Sequence, residues 1–348
     1  MAIDLLPYDL DAIWTKGLNN IVWSANDICP FKCWYCPKPS WGGDGKTPYT
    51  WDQCSDFLDI LFERIPRCTL LFTGGEPTDW PLLPKMLDKI YAPDFYTRKN
   101  PGWYIVVISN MSKSKGVISE WIDKTHHVCA SYHSNVINTP KKREAWLEKV
   151  LSFKHKTRIQ IRLLMDPKQW DHCIELYNDL NDPDIVLEPV PVLLKRDGVE
   201  FGESSDFAKE YTSKQVEILN ELKPKYGSSY IKKWNSIYDS GKHRVEAMLE
   251  YSSGDTQVIK SVDVPSLQGL VISRGLNRFK GWHCEIGLND LYIDHKGRIA
   301  GAVCMGRGAK YIGNIIDIDN IKWPEKAIVC PYEWCLCGGD TMIPKYKL

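Results

Sequence analysis

The chain has 348 residues, with 44 Lys and Arg balanced by 44 Asp and Glu, so its formal charge is zero. That balance argues against general polyanion binding, because non-specific nucleic-acid affinity comes mainly from phosphate neutralisation. Apolar residues at 43% and charged residues at 25% exclude intrinsic disorder, and no apolar run reaches the roughly 18 residues of a membrane span. The opening MAIDLLPYDLDAIW has no basic stretch followed by an apolar one, so no signal peptide and a cytoplasmic location are expected.

Along the first 190 or so residues, strand and helix signals alternate. Asn20 to Trp23 reads as a first strand and leads into a long loop. Thr50 and Gln53 form a capping-box pair, and Trp51, Cys54, Phe57, Leu58 and Leu61 follow at helical spacing. Thr69 to Thr73 is a short buried strand ending in Gly74-Gly75, and Leu82, Leu83, Met86, Leu87 and Ile90 mark the next helix. Strands are then predicted at Trp103–Ile108, Val128–Tyr132, Arg158–Met165 and Ile185–Val190. Helices are predicted at Lys115–Ile122 and Lys141–Phe153, with another starting near Pro167. Six strands with intervening helices imply a parallel α/β sheet, open or curled into a partial barrel. In such folds the chemistry lies at the C-terminal ends of the strands.

Residues 196–280 read as a last helical layer, with Thr212 and Gln215 capping Val216, Leu219 and Leu222, plus a connecting segment. Beyond Gly281 the pattern turns to β. Leu291–Ile293 and Arg298–Val303 flank Asp294-His-Lys-Gly297, a hairpin turn ending in glycine. The expected division is therefore 1–195, 196–280 and 281–348.

Twelve cysteines stand out. With no export signal, metal ligation or catalysis is a better reading than disulfides. Cys29, Cys33 and Cys36 form one group, Cys284, Cys304, Cys330, Cys335 and Cys337 a second, and Cys54, Cys68, Cys129 and Cys173 are scattered. Cys29-Pro-Phe-Lys-Cys33-Trp-Tyr-Cys36 is a C-x3-C-x2-C loop. Three thiolates so close together can hold three irons of a [4Fe–4S] cube and leave the fourth open to a ligand. The alternative, a zinc knuckle, needs a fourth nearby Cys or His, and the next is Cys54, on the apolar face of a helix. The scattered cysteines read as core, and a hydrogen donor in an epimerase is the alternative for any one of them.

This loop, with the aromatic Tyr35 before its last cysteine and Gly74-Gly75-Glu76-Pro77 after the second strand, resembles the radical S-adenosylmethionine (SAM) superfamily. The resemblance covers about residues 18 to 195 and implies a partial (β/α)6 TIM-type barrel. It implies that Cys29, Cys33 and Cys36 bind a [4Fe–4S] cluster whose fourth iron takes the amino and carboxylate groups of SAM. Gly74, Gly75 and Glu76 would meet the methionine amino group. Ser109, Asn110 and Ser131 would meet the ribose and Arg162 the carboxylate, while Tyr35 belongs to the cofactor-binding loop. The backbone of Val190 to Val192 would line the adenine. One electron, from a flavodoxin- or ferredoxin-type donor, would cleave SAM to methionine and a 5′-deoxyadenosyl radical that abstracts hydrogen from an unactivated carbon.

The second group resembles the C-terminal auxiliary-cluster domain of the twitch or shortened SPASM type. There, a cysteine-bearing hairpin and a later cysteine group enclose one further [4Fe–4S] cluster. Cys284 and Cys304 would be two ligands, and two of Cys330, Cys335 and Cys337 would complete the set. Their C-x4-C-x-C spacing departs from the simpler twitch pattern, and structural zinc is the competing reading. His133 faces the expected active end and is a candidate substrate contact.

For the substrate, a peptide or small molecule is the favoured class, its modification being dehydrogenation, epimerisation, rearrangement or cross-linking. The cysteine loop begins 28 residues in, so a leader-bound peptide would need another docking surface, such as segment 195–280. One alternative is a nucleobase or hypermodified nucleoside. Residues 141–158 hold seven basic and two acidic side chains, readable as a phosphate-facing patch or, better, as a solvated outer helix face. A second alternative is a non-catalytic iron–sulfur or zinc-binding module.

Overall fold

The computed structural model describes residues 5–6, 8–16, 19–36, 41–92, 102–192, 210–230, 246–260, 271, 274–288, 290–335 and 338–348. Its strands are β1 (Leu10–Lys16), β2 (Asn20–Ser24), β3 (Arg67–Thr73), β4 (Gly102–Ser109), β5 (His127–His133), β6 (Arg158–Met165), β7 (Ile185–Pro191) and β8 (Lys225–Tyr226). They continue with β9 (Glu246–Tyr251), β10 (Thr256–Lys260), β11 (His283–Cys284), β12 (Leu291–Ile293), β13 (Arg298–Ala300), β14 (Gly313–Asn314), β15 (Ile328–Val329) and β16 (Lys345–Tyr346). The helices used below are α1 (Trp51–Arg64), α2 (Leu83–Tyr91), α3 (Lys115–Ser119), α4 (Pro140–Leu151), α5 (Trp170–Asp179), α6 (Ser213–Glu221), α7 (Val303–Arg307) and α8 (Gly338–Thr341).

Strands β2 to β7 join in chain order as six parallel neighbours, each return run passing through at least one helix or helical turn. Antiparallel β8 extends one edge of this sheet, and β12, β13 and β14 extend the other, with β12 parallel to β2. Both faces of the parallel strands are covered, which is why they read as nearly continuous apolar runs. Along β4, Trp103, Ile105 and Val107 join the main core under the helices, while Tyr104 and Val106 pack inward with Cys129. Trp23, Phe57, Phe72 and Trp80 meet in that main core; each contributes roughly 1.5–3 kcal/mol by leaving water.

The inner face also carries polar side chains, and several of these pair with one another. Arg158 Nη1 donates to Tyr104 Oη at 3.0 Å, and Gln160 Nε2 donates to Glu188 Oε2 at 2.7 Å. His127, buried beside Arg158 and Arg162, is pushed down to about 3, first by burial and then by those two cations.

The capping boxes read from Thr50 with Gln53 and from Thr212 with Gln215 are both formed, opening α1 and α6. Cys54 and Cys173 are buried on helices, Cys129 in β5 and Cys68 inside β3, so all four scattered cysteines are core residues.

A second sheet runs in the order β10-β9-β1-β16-β11-β15. It differs from the sequence reading in two places. Leu10–Lys16 forms a strand whose partners, β9 and β16, lie far away in sequence. Residues 246–260, read as part of a helical and connecting segment, form the β9–β10 hairpin, whose turn contains Gly254 at φ 85°. The expected strand from Arg298 to Val303 ends at Ala300, and Val303 and Cys304 begin the short α7 instead. The core of this second sheet includes Leu10, Ile13, Leu249, Phe279, Cys284, Cys304, Cys330 and Met342.

Candidate active site and second cysteine site

The loop after β2 is fixed by backbone before any ligand is considered. Ala25 N donates to Thr73 O at 2.7 Å, Gly75 N to Asn26 O at 2.9 Å and Glu76 N to Ile28 O at 2.7 Å. Asn26 Nδ2 donates to Glu76 O at 2.7 Å. Gly74-Gly75-Glu76 thus holds the chain that leads into Cys29. Gly74 sits at φ 123°, and a Cβ there would lie 2.7 Å from Asn26 O, so only glycine allows this approach.

Cys33 is buried, and Cys29 and Cys36 are half-buried. The turn is tight, with Lys32 at φ 46° and Cys36 N donating to Cys33 O at 3.0 Å. Burial pushes the Cys29 thiol up, and it pushes Cys33 to about 11, where the charges of Cys36 and Cys29 act in the same direction. A bound cation reverses that penalty, since metal ligation deprotonates thiols. Asn110 Nδ2 donates to Cys29 Sγ at 3.3 Å, and His133 Nδ1 lies 3.3 Å from Cys33 Sγ. Tyr35 Oη is 2.9 Å from that same nitrogen and donates to Asn135 Oδ1 at 3.1 Å. His133 is pushed down to about 4, by burial and then by Arg162, which keeps it neutral near pH 7. Trp34 Nε1 donates to Asp166 Oδ2 at 3.1 Å and fastens the loop to the end of β6.

Glu76 is buried. Its Oε1 accepts from Thr78 N, Thr78 Oγ1 and Ser109 Oγ, and its Oε2 from Asn110 N. Ser109 Oγ also accepts from Met111 N, and Asn110 Oδ1 from Ser112 N. The side chains of Ser109 and Asn110 are therefore engaged with the cysteine loop and its supports. Ser131 lies on β5 between inward Cys129 and His133. Arg162 Nε lies 3.4 Å from Glu188 on the neighbouring strand, an ion pair within the protein at half-exposed positions.

The donor set tests whether SAM and its cluster fit here. Three thiols share one loop at the C-terminal end of β2, and Asn26 Oδ1 is a buried acceptor beside the Gly-Gly-Glu turn with no partner among the described residues. Thiolates for iron and a spare acceptor for an ammonium are the groups SAM and its cluster need.

Cys284, Cys304 and Cys330 are buried in the core of the second sheet, and the partly buried Cys335 packs against that same core. Negative charge on Cys330 and Cys335 would raise the Cys284 thiol further, and charge on Cys335 and Cys284 would do the same to Cys304. Burial is the largest cause of the upward shift at all four. Cys337, the fifth candidate, lies outside the described residues. Among the described residues, no three His, Cys, Asp or Glu side chains converge as ligands of a single metal ion would. Lys345 and Asp340, both buried in this pocket, carry no motif in the sequence and were missed there.

The basic stretch 141–158 is largely neutralised from within. Arg143 pairs with Glu175, Lys154 with Asp182 and Asp184, and Lys156 with Asp123. Lys149 donates to Lys113 O, and Arg158 points inward to Tyr104. Among the described residues, no helix is long and apolar enough to cross a membrane.

Residues 23–153 match the family model of the Radical SAM superfamily. The fold is the radical SAM fold, a mixed α/β arrangement built on a partial TIM barrel. Two similar solved structures are native anSMEcpe with bound AdoMet and Cp18Cys peptide (TM-score 0.51, 16% identity) and with bound AdoMet and Kp18Cys peptide (TM-score 0.52, 15% identity). Each alignment covers 86% of this chain and 78% of that one. No curated protein matches the chain in sequence.

Proposed function

We propose that the protein is a radical SAM enzyme that abstracts hydrogen from an unactivated carbon of a peptide. In this reading Cys29, Cys33 and Cys36 hold a [4Fe–4S] cluster. The cluster and SAM together supply a 5′-deoxyadenosyl radical after one-electron reduction by a flavodoxin- or ferredoxin-type donor. The observation that carries the reading is the join between two motifs. The chain leading into the three-thiol loop, at Asn26 and Ile28, is hydrogen-bonded to Gly75 and Glu76, and Asn110 and His133 stand at two of the loop's sulfurs.

The roles of this chain's own residues follow from their placement. The Gly-Gly-Glu turn and Asn26 offer acceptors to the SAM ammonium. The neutral His133 and Asn110 lie against the cysteine sulfurs and tune them. Tyr35, stacked on His133 at 6.0 Å with 11° between planes, shields this corner from water. Cys284, Cys304, Cys330 and Cys335 would hold an auxiliary [4Fe–4S] cluster in a twitch- or SPASM-like unit. A peptide substrate is favoured by the peptides named in the similar structures and by the internal pairing of the basic stretch, which leaves little charge for nucleic acid.

The test is anaerobic reconstitution with iron and sulfide, then addition of SAM and dithionite. Release of 5′-deoxyadenosine that disappears in Cys33→Ala supports the reading. Zinc at the loop of the native protein, or no 5′-deoxyadenosine from a fully reconstituted sample, would overturn it. Deuterium transfer from labelled peptides into 5′-deoxyadenosine then identifies the substrate and the carbon attacked.

A further inference from the structure

Lys345 is 1% exposed, on β16, in the pocket of the second cysteine group. A lysine so deeply buried needs compensation. Its Nζ donates to the carbonyl oxygens of Asp340 at 2.6 Å, Thr341 at 3.2 Å and Ile343 at 2.7 Å, so all three ammonium protons are engaged. The nitrogen also lies 5.0 Å over the ring of Phe279.

The same network reaches the cysteines along separate lines. Lys345 is the direct cross-strand partner of Cys284 in the antiparallel β11–β16 ladder, which places their side chains on one face. Asp340, whose carbonyl takes one of the ammonium protons, turns its carboxylate to Cys304 N at 2.9 Å and Val303 N at 3.3 Å. Thr341, whose carbonyl takes another, directs its hydroxyl to Cys335, 3.2 Å from the carbonyl oxygen and 3.6 Å from Sγ. Burial pushes Cys284 up to about 12 and Cys335 to about 11, and the Lys345 charge opposes that rise at both. Four thiolates on an iron–sulfur cluster form a strongly anionic centre, and net charge and hydrogen bonding around such a centre set its potential.

On the reading of these cysteines as an iron–sulfur site, we propose that Lys345 is the positioning residue of that site. Its ammonium ties down the segments holding Cys284, Cys304 and Cys335, and its fixed positive charge raises the potential of the cluster held there. The test uses the full chain with Cys29, Cys33 and Cys36 changed to Ala, so that only the second site can be loaded. After anaerobic reconstitution, the reduced cluster is followed by electron paramagnetic resonance against applied potential. Lys345→Gln keeps donors toward the carbonyls but removes the charge. Its reduced-to-oxidised ratio at a fixed potential should fall by about tenfold or more, equal to ~59 mV for a one-electron couple, and Lys345→Arg should recover most of the loss.

An unchanged ratio in a loaded Lys345→Gln overturns the charge role while leaving the cluster reading intact. Uptake of zinc, or of no iron, by the triple-Ala chain itself overturns the cluster reading and this inference with it. Should Lys345→Gln fail to fold, Asp340→Asn removes the neighbouring negative charge and must raise the ratio. No change there also overturns the proposal.

Discussion

Glu76→Gln tests whether the carboxylate organises the site as its geometry implies. Glu76 accepts at 3.2 Å from Thr78 N, 2.6 Å from Thr78 Oγ1 and 2.7 Å from both Ser109 Oγ and Asn110 N. A glutamine keeps three of these bonds only by putting its oxygen at the Oε1 position, and its NH2 group then faces the Asn110 N–H, donor against donor. The loss is one charge-assisted bond, roughly 1.5–3 kcal/mol, and an orphaned buried donor adds about 1–3 kcal/mol. Burial pushes the Glu76 pKa up, the largest of its causes. Neutralising the group therefore returns part of that loss, and the net destabilisation should be about 1–3 kcal/mol. In a chain of this size that is a fall of a few degrees in the thermal midpoint. The sharper assay is hydrogen exchange of the metal-free protein, in which the Asn110 amide should lose protection before the strands beside it. A Glu76→Gln protein with wild-type midpoint and an equally protected Asn110 amide would refute the reasoning.

Other perturbations test separate parts of the argument. His127 has its folded pKa pushed from 6.5 down to about 3, so the unfolded chain binds the extra proton between those values. Stability should therefore be complete above pH 6.5 and fall as pH drops toward 3, by at most about 5 kcal/mol; His127→Gln should flatten that slope in thermal melts run across the range. Gly74→Ala forces a Cβ to 2.7 Å from Asn26 O at φ 123°; the strain, on the order of 1–3 kcal/mol, should speed alkylation of Cys29 and Cys33 in metal-free protein relative to wild type. Thr50→Ala removes the hydroxyl that accepts from Gln53 N and leaves the backbone half of the capping box, residue 50 N to Gln53 Oε1; it should lower stability by about 1 kcal/mol, readable in urea titration, while leaving 5′-deoxyadenosine formation unchanged.

What could be read ahead of the structure followed from local chemistry. The parallel strands are apolar on both faces, and Thr50 and Thr212 each cap the helix that follows, so periodicity and caps locate them. Cys29, Cys33 and Cys36 share eight residues of chain, so their spacing alone brings three thiols onto one loop. The parts that escaped depend on distant partners. Leu10–Lys16 becomes a strand because β9 and β16 flank it, more than two hundred residues away. Arg162, which the resemblance assigns to the SAM carboxylate, also has an ion-pair partner the sequence does not show, Glu188 on the next strand at the facing register position. Lys345 sits in Pro344-Lys345-Tyr346-Lys347, which looks like an ordinary solvated stretch. Only the β11–β16 ladder shows that one lysine faces a cysteine while its neighbour Lys347 pairs with Asp11.

The two cysteine groups also share a mechanical frame that neither motif discloses. Strand β2, which delivers the first loop, pairs in parallel with β12, matching Ile21 with Leu291, Val22 with Tyr292 and Trp23 with Ile293. Cys284 lies just before β12, and Cys304 follows β13 on α7. At the start of that ladder, Asn20 N donates to Asp290 Oδ1 at 2.7 Å, and burial pushes Asp290 up to about 7. A shift of β12 against β2 would therefore displace one thiol group relative to the other, and a one-residue slip would turn Leu291 and Ile293 out of the main core they now occupy. The hydrophobic register of three short residue pairs thus fixes the relation between the two sites, so substitutions at Leu291 or Ile293 should perturb the second cysteine group without touching a single sulfur.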